Sequence, residues 1–217
     1  MVWWIWRTRN SICIDNELVP LYTLKLRITE YAHLLQNCFL HHHKESIPKL
    51  VRWNALGGTD MILNVDGSSI GNPSISIYGG IIRNADGVWI HGFFGNLGVS
   101  NILHAELMAI FKCLQLAWEL NIRDLWCYSD FVTTLKLIYE PVDEWHHYAA
   151  IIRNIKEILD RNWQVVILHT YREGNTCADI LAKHGARNNE GFTSIVVSPA
   201  GLNLCLLADA SCVCFSR

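Results

Sequence analysis

The sequence predicts an α/β domain with a mixed five-stranded sheet flanked by helices. Five short apolar segments have the character of strands, and stripes of apolar residues at helical spacing lie between the later ones. Their order along the chain is β-β-β-α-β-α-α-β-α. Because hairpin strands pair antiparallel, whereas strand–helix–strand units require right-handed crossovers and parallel pairing, the sheet is predicted to be mixed.

Each predicted strand rests on a local pattern. In the first, apolar and polar side chains alternate until Asp66, as on a half-buried strand. The second and third are joined by Asn84–Gly87, whose residue types favour a hairpin turn. The predicted strands are residues 61–66, 75–83, 88–94, 125–129 and 164–168.

The helices follow from apolar residues spaced three and four apart. Ser100 or Asn101 can cap the start of the first helix, and Pro141 ends the second. The helical stripes span residues 103–118, 131–139, 148–159 and 175–186.

The sequence divides into three regions. Residues 61–187 form the predicted α/β domain, and residues 188–217 are expected to be an irregular tail. Residues 1–60 contain a tryptophan-rich start, one amphipathic helix over residues 24–35 and a linker at Gly57–Gly58. This N-terminal region is either a remnant of a larger protein or a helix that docks on the domain.

The composition of the chain limits the classes of function that it can have. The chain has 217 residues, is 51% hydrophobic and 18% charged, and can therefore build a substantial core. Its net charge of −2 gives no support for a generally basic nucleic-acid-binding surface. Eight cysteines without a C-x-x-C pair predict reduced thiols in an intracellular compartment, nucleus or cytoplasm. We expect a monomer with no membrane span.

Four acidic residues stand where elements begin or end. Asp66 ends the first strand and leads into Gly67–Ser69, and Asp130 ends the strand after the first crossover helix. Glu106 lies near the start of that helix, and Asp179 lies in the first turn of the last helix. Each alone is most often a turn, cap or surface residue. Together, at the carboxyl edge of parallel strands, they predict one crevice.

Clustered carboxylates repel one another, and a divalent cation removes that repulsion. Ligation by oxygen alone favours Mg²⁺ or Mn²⁺ over Zn²⁺. Two such ions suit phosphodiester hydrolysis, because they can activate a water molecule and stabilise the leaving oxygen. The four acids therefore predict a metal-dependent hydrolytic site.

Six stretches of the predicted domain form a recognisable set. They are Leu63–Ser68, Gly71–Pro73, Gly79–Arg83, Ala105–Ala109, Ser129–Asp130 and Tyr171–Ala182. Together they resemble ribonuclease H type 1, and the resemblance is greatest to the plant ribonuclease H-like domains derived from non-LTR retrotransposons. The N-terminal region resembles the segment that joins a reverse transcriptase to such a domain.

The resemblance implies hydrolysis of the RNA strand of an RNA–DNA hybrid with two Mg²⁺ ions as the only cofactor. Asp66, Glu106, Asp130 and Asp179 fall on the family's four metal-binding, catalytic acids. Asp66 would bridge both ions, Glu106 and Asp130 would hold one ion and orient the nucleophilic water, and Asp179 would complete the second ion's site. Substrate contacts are expected from Gly67, Ser68, Asn72 and Asn101.

Departures from the family keep other functions open. The loop before Asp179 is short, and Arg172 stands where many members carry a loop histidine. A basic protrusion found in some members has no counterpart, which lowers the expected affinity for hybrid. The alternatives are a nucleic-acid-binding module with little or no turnover and a retroelement remnant without function.

Overall fold

The computed structural model describes residues 20, 22–26, 28–30, 50–53 and 61–216. The chain divides into two compact units, Met1–Lys49 and Leu50–Arg217. In the first unit, residues 22–26 and 28–30 are helical, which confirms the described part of the helix predicted there. The tryptophan-rich start and the Gly57–Gly58 linker lie outside the described residues. Among the described helices, none has the length and apolar character needed to cross a membrane.

Within the second unit, residues 61–185 contain strands and helices in the predicted order, and further short elements lie on either side of them. Its strands are β1 (Leu50–Val51), β2 (Met61–Ile70), β3 (Ile75–Arg83), β4 (Trp89–Val99), β5 (Asp124–Ser129), β6 (Gln164–His169), β7 (Thr193–Ile195) and β8 (Phe215–Ser216). Its α-helices are α1 (Ile102–Glu119), α2 (Val132–Tyr139), α3 (Ala149–Leu159), α4 (Thr176–Gly185) and α5 (Asn203–Ala210). Short 3₁₀ turns precede α4 and α5.

The main sheet is mixed, as the sequence predicts, and its order is β6-β5-β2-β3-β4-β7. Strands β2, β5 and β6 pair in parallel, and the other pairs are antiparallel. The described sheet has six strands rather than five, because β7 adds to the free edge of β4. With only three residues, β7 has no periodicity that could be read before its partner strand is known.

Helices cover both faces of the sheet. On one face Leu63 and Val65 pack with the apolar stripe of α1 and with Ile152 and Ile155 of α3 in the largest cluster of buried side chains. On the other face α4 packs closely on β3, where a Cβ added at Gly79 would lie 2.4 Å from a backbone nitrogen of α4. Each fully buried aliphatic side chain contributes about 1.5–3 kcal/mol. This burial fixes α1 and α4 against the central strands.

The predicted domain boundaries are too narrow at both ends. Before residue 61, β1 pairs with β8, and Trp53 is buried against Ile62 and Tyr128. After residue 187, the region expected to be irregular contains β7, α5 and β8. These pieces are short and amphipathic only weakly, and their order depends on partners distant in the sequence.

Candidate active site

Parallel pairing of β2 and β5 brings Asp66 and Asp130 together. Val65 pairs with Ser129, and each strand reaches its acidic residue at the next position. Side chains that follow paired positions of parallel strands lie at the same sheet edge. The two carboxylates are therefore neighbours at the carboxyl end of the strands, as predicted.

Glu106 enters the same edge from α1 because Gly67 has no side chain. A Cβ at Gly67 would lie 2.4 Å from the backbone nitrogen of Glu106, so only glycine allows the helix to approach β2 this closely. The Gly67 backbone N–H donates a hydrogen bond to the Glu106 carboxylate. The Ser129 hydroxyl lies 3.5 Å from Glu106 Oε2 and donates to it.

Asp66, Glu106 and Asp130 form one compact acidic cluster. Each offers a carboxylate oxygen, and these oxygens lie within 4.8 Å of one another. Asp66 is 7% exposed, Glu106 is 2% exposed, and Asp130 is half-buried. Three acids this close and this dry cannot all ionise without a compensating positive charge.

The pKa values of the three acids reflect this repulsion. Burial, followed by the charges of Asp130 and Asp179, raises the pKa of Asp66 to about 8. Burial, followed by the charges of Asp66 and Asp130, raises the pKa of Glu106 to about 9. Burial also raises the pKa of Asp130, which a hydrogen bond from its own backbone and the nearby Arg172 partly oppose. Without a cation the cluster therefore holds protons at neutral pH.

Asp179 lines the same cavity but stands apart from the compact cluster. It lies in the first turn of α4, and its Oδ2 is 2.5 Å from Lys183 Nζ one turn later. Its side chain is 18% exposed, whereas that of Lys183 is 52% exposed. Its charge still raises the pKa values of Asp66 and Asp130, so all four acids share one electrostatic environment.

The cavity at this edge has a volume of about 360 Å³. Of the predicted substrate contacts, Gly67 and Ser68 line it, whereas Asn72 and Asn101 do not. Asn72 lies in the exposed turn between β2 and β3. Asn101 caps α1 by accepting from the His104 N–H, and its amide donates to the Tyr148 hydroxyl. Its polar atoms thus already have partners within the protein.

Other lining residues were not predicted as part of the site. They are Ser69, Ile102, Phe131 and Arg172. The Arg172 charge lowers the pKa values of Asp66 and Asp130, which makes it a positive group inside an otherwise acidic cavity. The sequence offered one signal for it, its position in the short loop before Asp179.

A network of buried polar side chains holds β2 in place next to Asp66. The Asn175 amide donates to the Val65 carbonyl at 2.8 Å, and Asn64 donates to Asn175 Oδ1 at 3.1 Å. Trp53 and Arg83 both donate to Asn64 Oδ1. The network ties β2, at the residue before Asp66, to the start of α4. Because Trp53 lies in the region assigned to a linker, sequence reasoning missed its part in this network.

Comparisons with known proteins agree with this architecture. The family model described as reverse transcriptase-like matches residues 64–185, more than half of the chain. A curated Arabidopsis thaliana protein named "Putative ribonuclease H protein" is 26% identical over 216 residues, which cover 96% of this chain and 34% of that protein. The chain thus spans about a third of the length of the curated relative it matches.

Solved structures show the same fold. RNase H1 from Halobacterium salinarum is 22% identical with a TM-score of 0.51, over 59% of this chain and 98% of that one. The N-terminal RNase H domain of a Mycobacterium tuberculosis protein is 19% identical with a TM-score of 0.54, over 60% and 95%. LC11-RNase H1 in complex with RNA/DNA hybrid is 22% identical with a TM-score of 0.52, over 58% and 95%. These likenesses confirm a ribonuclease H-like fold.

Proposed function

The chain belongs to the reverse transcriptase-like family, and from that premise we propose that it is a metal-dependent endonuclease that hydrolyses the RNA strand of RNA–DNA hybrids. One observation carries the proposal. The carboxylate oxygens of Asp66, Glu106 and Asp130 lie within 4.8 Å of one another in a largely buried cluster. Such a cluster is costly for folding alone, because desolvated like charges oppose each other.

The donor set fits magnesium. All four acids offer hard oxygen ligands, and no cysteine or histidine lines the cavity among the described residues. Burial and the neighbouring acids raise the pKa values of Asp66 and Glu106, and this supports a bound cation, which would favour their charged forms. Asp66, Glu106 and Asp130 would hold one cation, and Asp66 with Asp179 a second. Bound cations would supply Lewis-acid stabilisation of the phosphate and a more acidic water.

Within the cavity each lining group has a separate task. Glu106 and Asp130 accept hydrogen bonds from a water at the cluster and orient it toward a phosphate. Arg172 provides positive charge that attracts the phosphate backbone. The Ser68 and Ser69 hydroxyls can donate to and accept from a ribose 2′-hydroxyl, the group that distinguishes RNA from DNA. The strand held at the acids is therefore proposed to be RNA.

A cleavage assay tests the proposal. The purified 217-residue protein is incubated with labelled RNA–DNA hybrid, RNA duplex or DNA duplex across a Mg²⁺ titration. We expect cleavage of the RNA strand of the hybrid, with none in the presence of a chelator. Glu106→Gln keeps the side-chain shape but removes a charged ligand, and should reduce turnover on the order of 100-fold or more. Glu157→Gln, at an exposed position of α3, is the matched control.

The same assay distinguishes a nuclease from the alternative, a nucleic-acid-binding module with little or no turnover. The ion pair that engages Asp179 favours a protein that binds nucleic acid without cutting it, because it occupies one of the four acids. A gel shift of the hybrid with no cleavage at any Mg²⁺ or Mn²⁺ concentration would assign the chain to that class and refute the nuclease proposal.

A further inference from the structure

A second cluster of reactive side chains lies away from the acidic cavity, between α4 and α5. Cys177 of α4 and Cys205 and Asp209 of α5 offer two sulfurs and a carboxylate oxygen within 4.8 Å of one another. Cys177 is 1% exposed, Asp209 is 4% exposed, and Cys205 is half-buried. The two cysteines also pack in one apolar cluster with Leu181 and Leu202.

A buried arginine opposes metal binding by this cluster. Arg83 Nη1 lies 2.7 Å from Asp209 Oδ2 and 3.9 Å from Cys177 Sγ, and the side chain is fully buried. Its guanidinium therefore already supplies the positive charge that the carboxylate requires. A metal cation at the sulfurs would be placed beside a second, desolvated positive charge, which is strongly unfavourable.

We propose that Cys177 and Cys205 are a redox-active dithiol that forms an intramolecular disulfide joining α4 to α5, with a low-molecular-weight disulfide such as oxidised glutathione as the oxidant. The two sulfurs lie within 4.8 Å of each other, and the half-buried Cys205 gives the oxidant access. Cys177, in contrast, is shielded, so it is placed to resolve a mixed disulfide rather than to start one.

The exchange balances in two steps. The Cys205 thiolate attacks one sulfur of the oxidant, forming a mixed disulfide and releasing one reduced glutathione. Cys177 then attacks the Cys205 sulfur and releases the second glutathione. The Cys177 thiol, which donates to Asp209 Oδ2 at 3.3 Å, gives up its proton as its sulfur attacks, and the departing glutathione thiolate takes up a proton. Two protein thiols are oxidised, and one disulfide is reduced to two thiols.

The disulfide would fasten α5 to the helix that carries Asp179. It closes a loop over residues 177–205, which includes β7. Restricting that loop in the unfolded chain stabilises the folded state, by a chain-entropy effect that grows with loop length. For a chain of this size we expect the midpoint of thermal unfolding to rise by roughly 5–10 °C.

Mass spectrometry in glutathione redox buffers tests the proposal on the 217-residue protein. Reduced protein is equilibrated with increasing oxidised glutathione, its free thiols are blocked in acid, and its peptides are mapped. We expect a single transition to a Cys177–Cys205 cross-linked peptide, together with the rise in thermal stability, and reversal of both by dithiothreitol. Neither the cross-linked peptide nor the thermal shift requires nuclease activity, so a negative result here can be told apart from a failure of the proposed function.

Three cysteine variants test whether the cross-link joins Cys177 to Cys205. Cys205→Ser, a conservative change at a half-buried position, should abolish both the cross-link and the thermal shift, and Cys177→Ala should do the same. Cys212→Ser, at an exposed position, should retain both. Cys205 found only as a mixed disulfide with glutathione would overturn the proposal. So would stoichiometric Zn²⁺ binding by the reduced protein that Cys205→Ser removes, because it would show a metal site instead.

Discussion

Replacing Asp66 by Asn should stabilise the metal-free protein, and should do so more strongly as the pH rises. Burial first, and then the charges of Asp130 and Asp179, raise the pKa of Asp66 from 3.8 to about 8. Between these values the folded state holds a proton that the unfolded state has released. Stability contributed by the group is therefore lost as pH rises from about 4 to about 8. Asn needs no proton and escapes this loss.

The size of the effect follows from the shift. One pKa unit corresponds to about 1.4 kcal/mol, and pH 7 lies about 3 units above the ordinary pKa, so the upper bound at pH 7 is about 4 kcal/mol. Titration of Asp66 is coupled to that of Glu106, which reduces what one substitution recovers. We therefore expect a gain of about 2–4 kcal/mol at pH 7 and close to none at pH 4.

Urea unfolding of chelator-treated protein from pH 4 to pH 8 measures this difference. The wild-type free energy of unfolding should decline across the range, and the Asp66→Asn curve should be flatter. Asp160→Asn, at the exposed end of α3, is the control and should follow the wild type. Parallel wild-type and Asp66→Asn curves would refute the reasoning, because they would mean that the Asp66 carboxylate is not held in a desolvated acidic cluster.

The remaining predictions concern cation binding and the supporting network. Adding Mg²⁺ at pH 7 should release protons, because the cation replaces those held by Asp66 and Glu106; calorimetry in two buffers of different ionisation enthalpy measures the number, and identical apparent enthalpies would contradict the prediction. Asn175→Ala should cost about 1–3 kcal/mol by leaving the Val65 carbonyl and the Asn64 amide without their partner; urea unfolding measures it, and a loss below about 0.5 kcal/mol would show that water replaces the side chain.

Much of the sheet could be predicted from the sequence because its central strands carry their own patterns. The predicted bounds of β3 are those observed, and turn residues at Asn84–Gly87 mark the hairpin to β4. In contrast, β4 extends to Val99, five residues past its predicted end. The added segment contains two glycines and an asparagine, which have low strand propensity, and its order comes from pairing with β3.

The candidate site was predictable for a related reason. Asp66 and Asp130 lie one position beyond residues that pair in parallel strands, so topology alone makes them neighbours. The dependence of Glu106 on Gly67 was not predictable, since it rests on a helix–strand distance. Likewise, Arg83 reads in the sequence as the polar end of a strand. Its burial beside Asp209 depends on α5, an element that the sequence pattern did not reveal.

The positively charged side chains near the acidic site, Arg172 and Lys183, do not offset its acids equally. This difference affects how tightly each part of the site would bind a metal ion. Asp179, which is only partly buried, already pairs with Lys183. Arg172 and Lys183 lower the pKa of Asp66, but less than burial and the neighbouring acids raise it. At Glu106, the deepest acid, the opposing influences are hydrogen bonds from Gly67 and Ser129. Positive charge is therefore most deficient where Asp66, Glu106 and Asp130 meet. A cation is bound most favourably at that point, whereas a cation beside Asp179 must compete with Lys183. The site formed by Asp66, Glu106 and Asp130 should therefore bind its cation more tightly than the site beside Asp179.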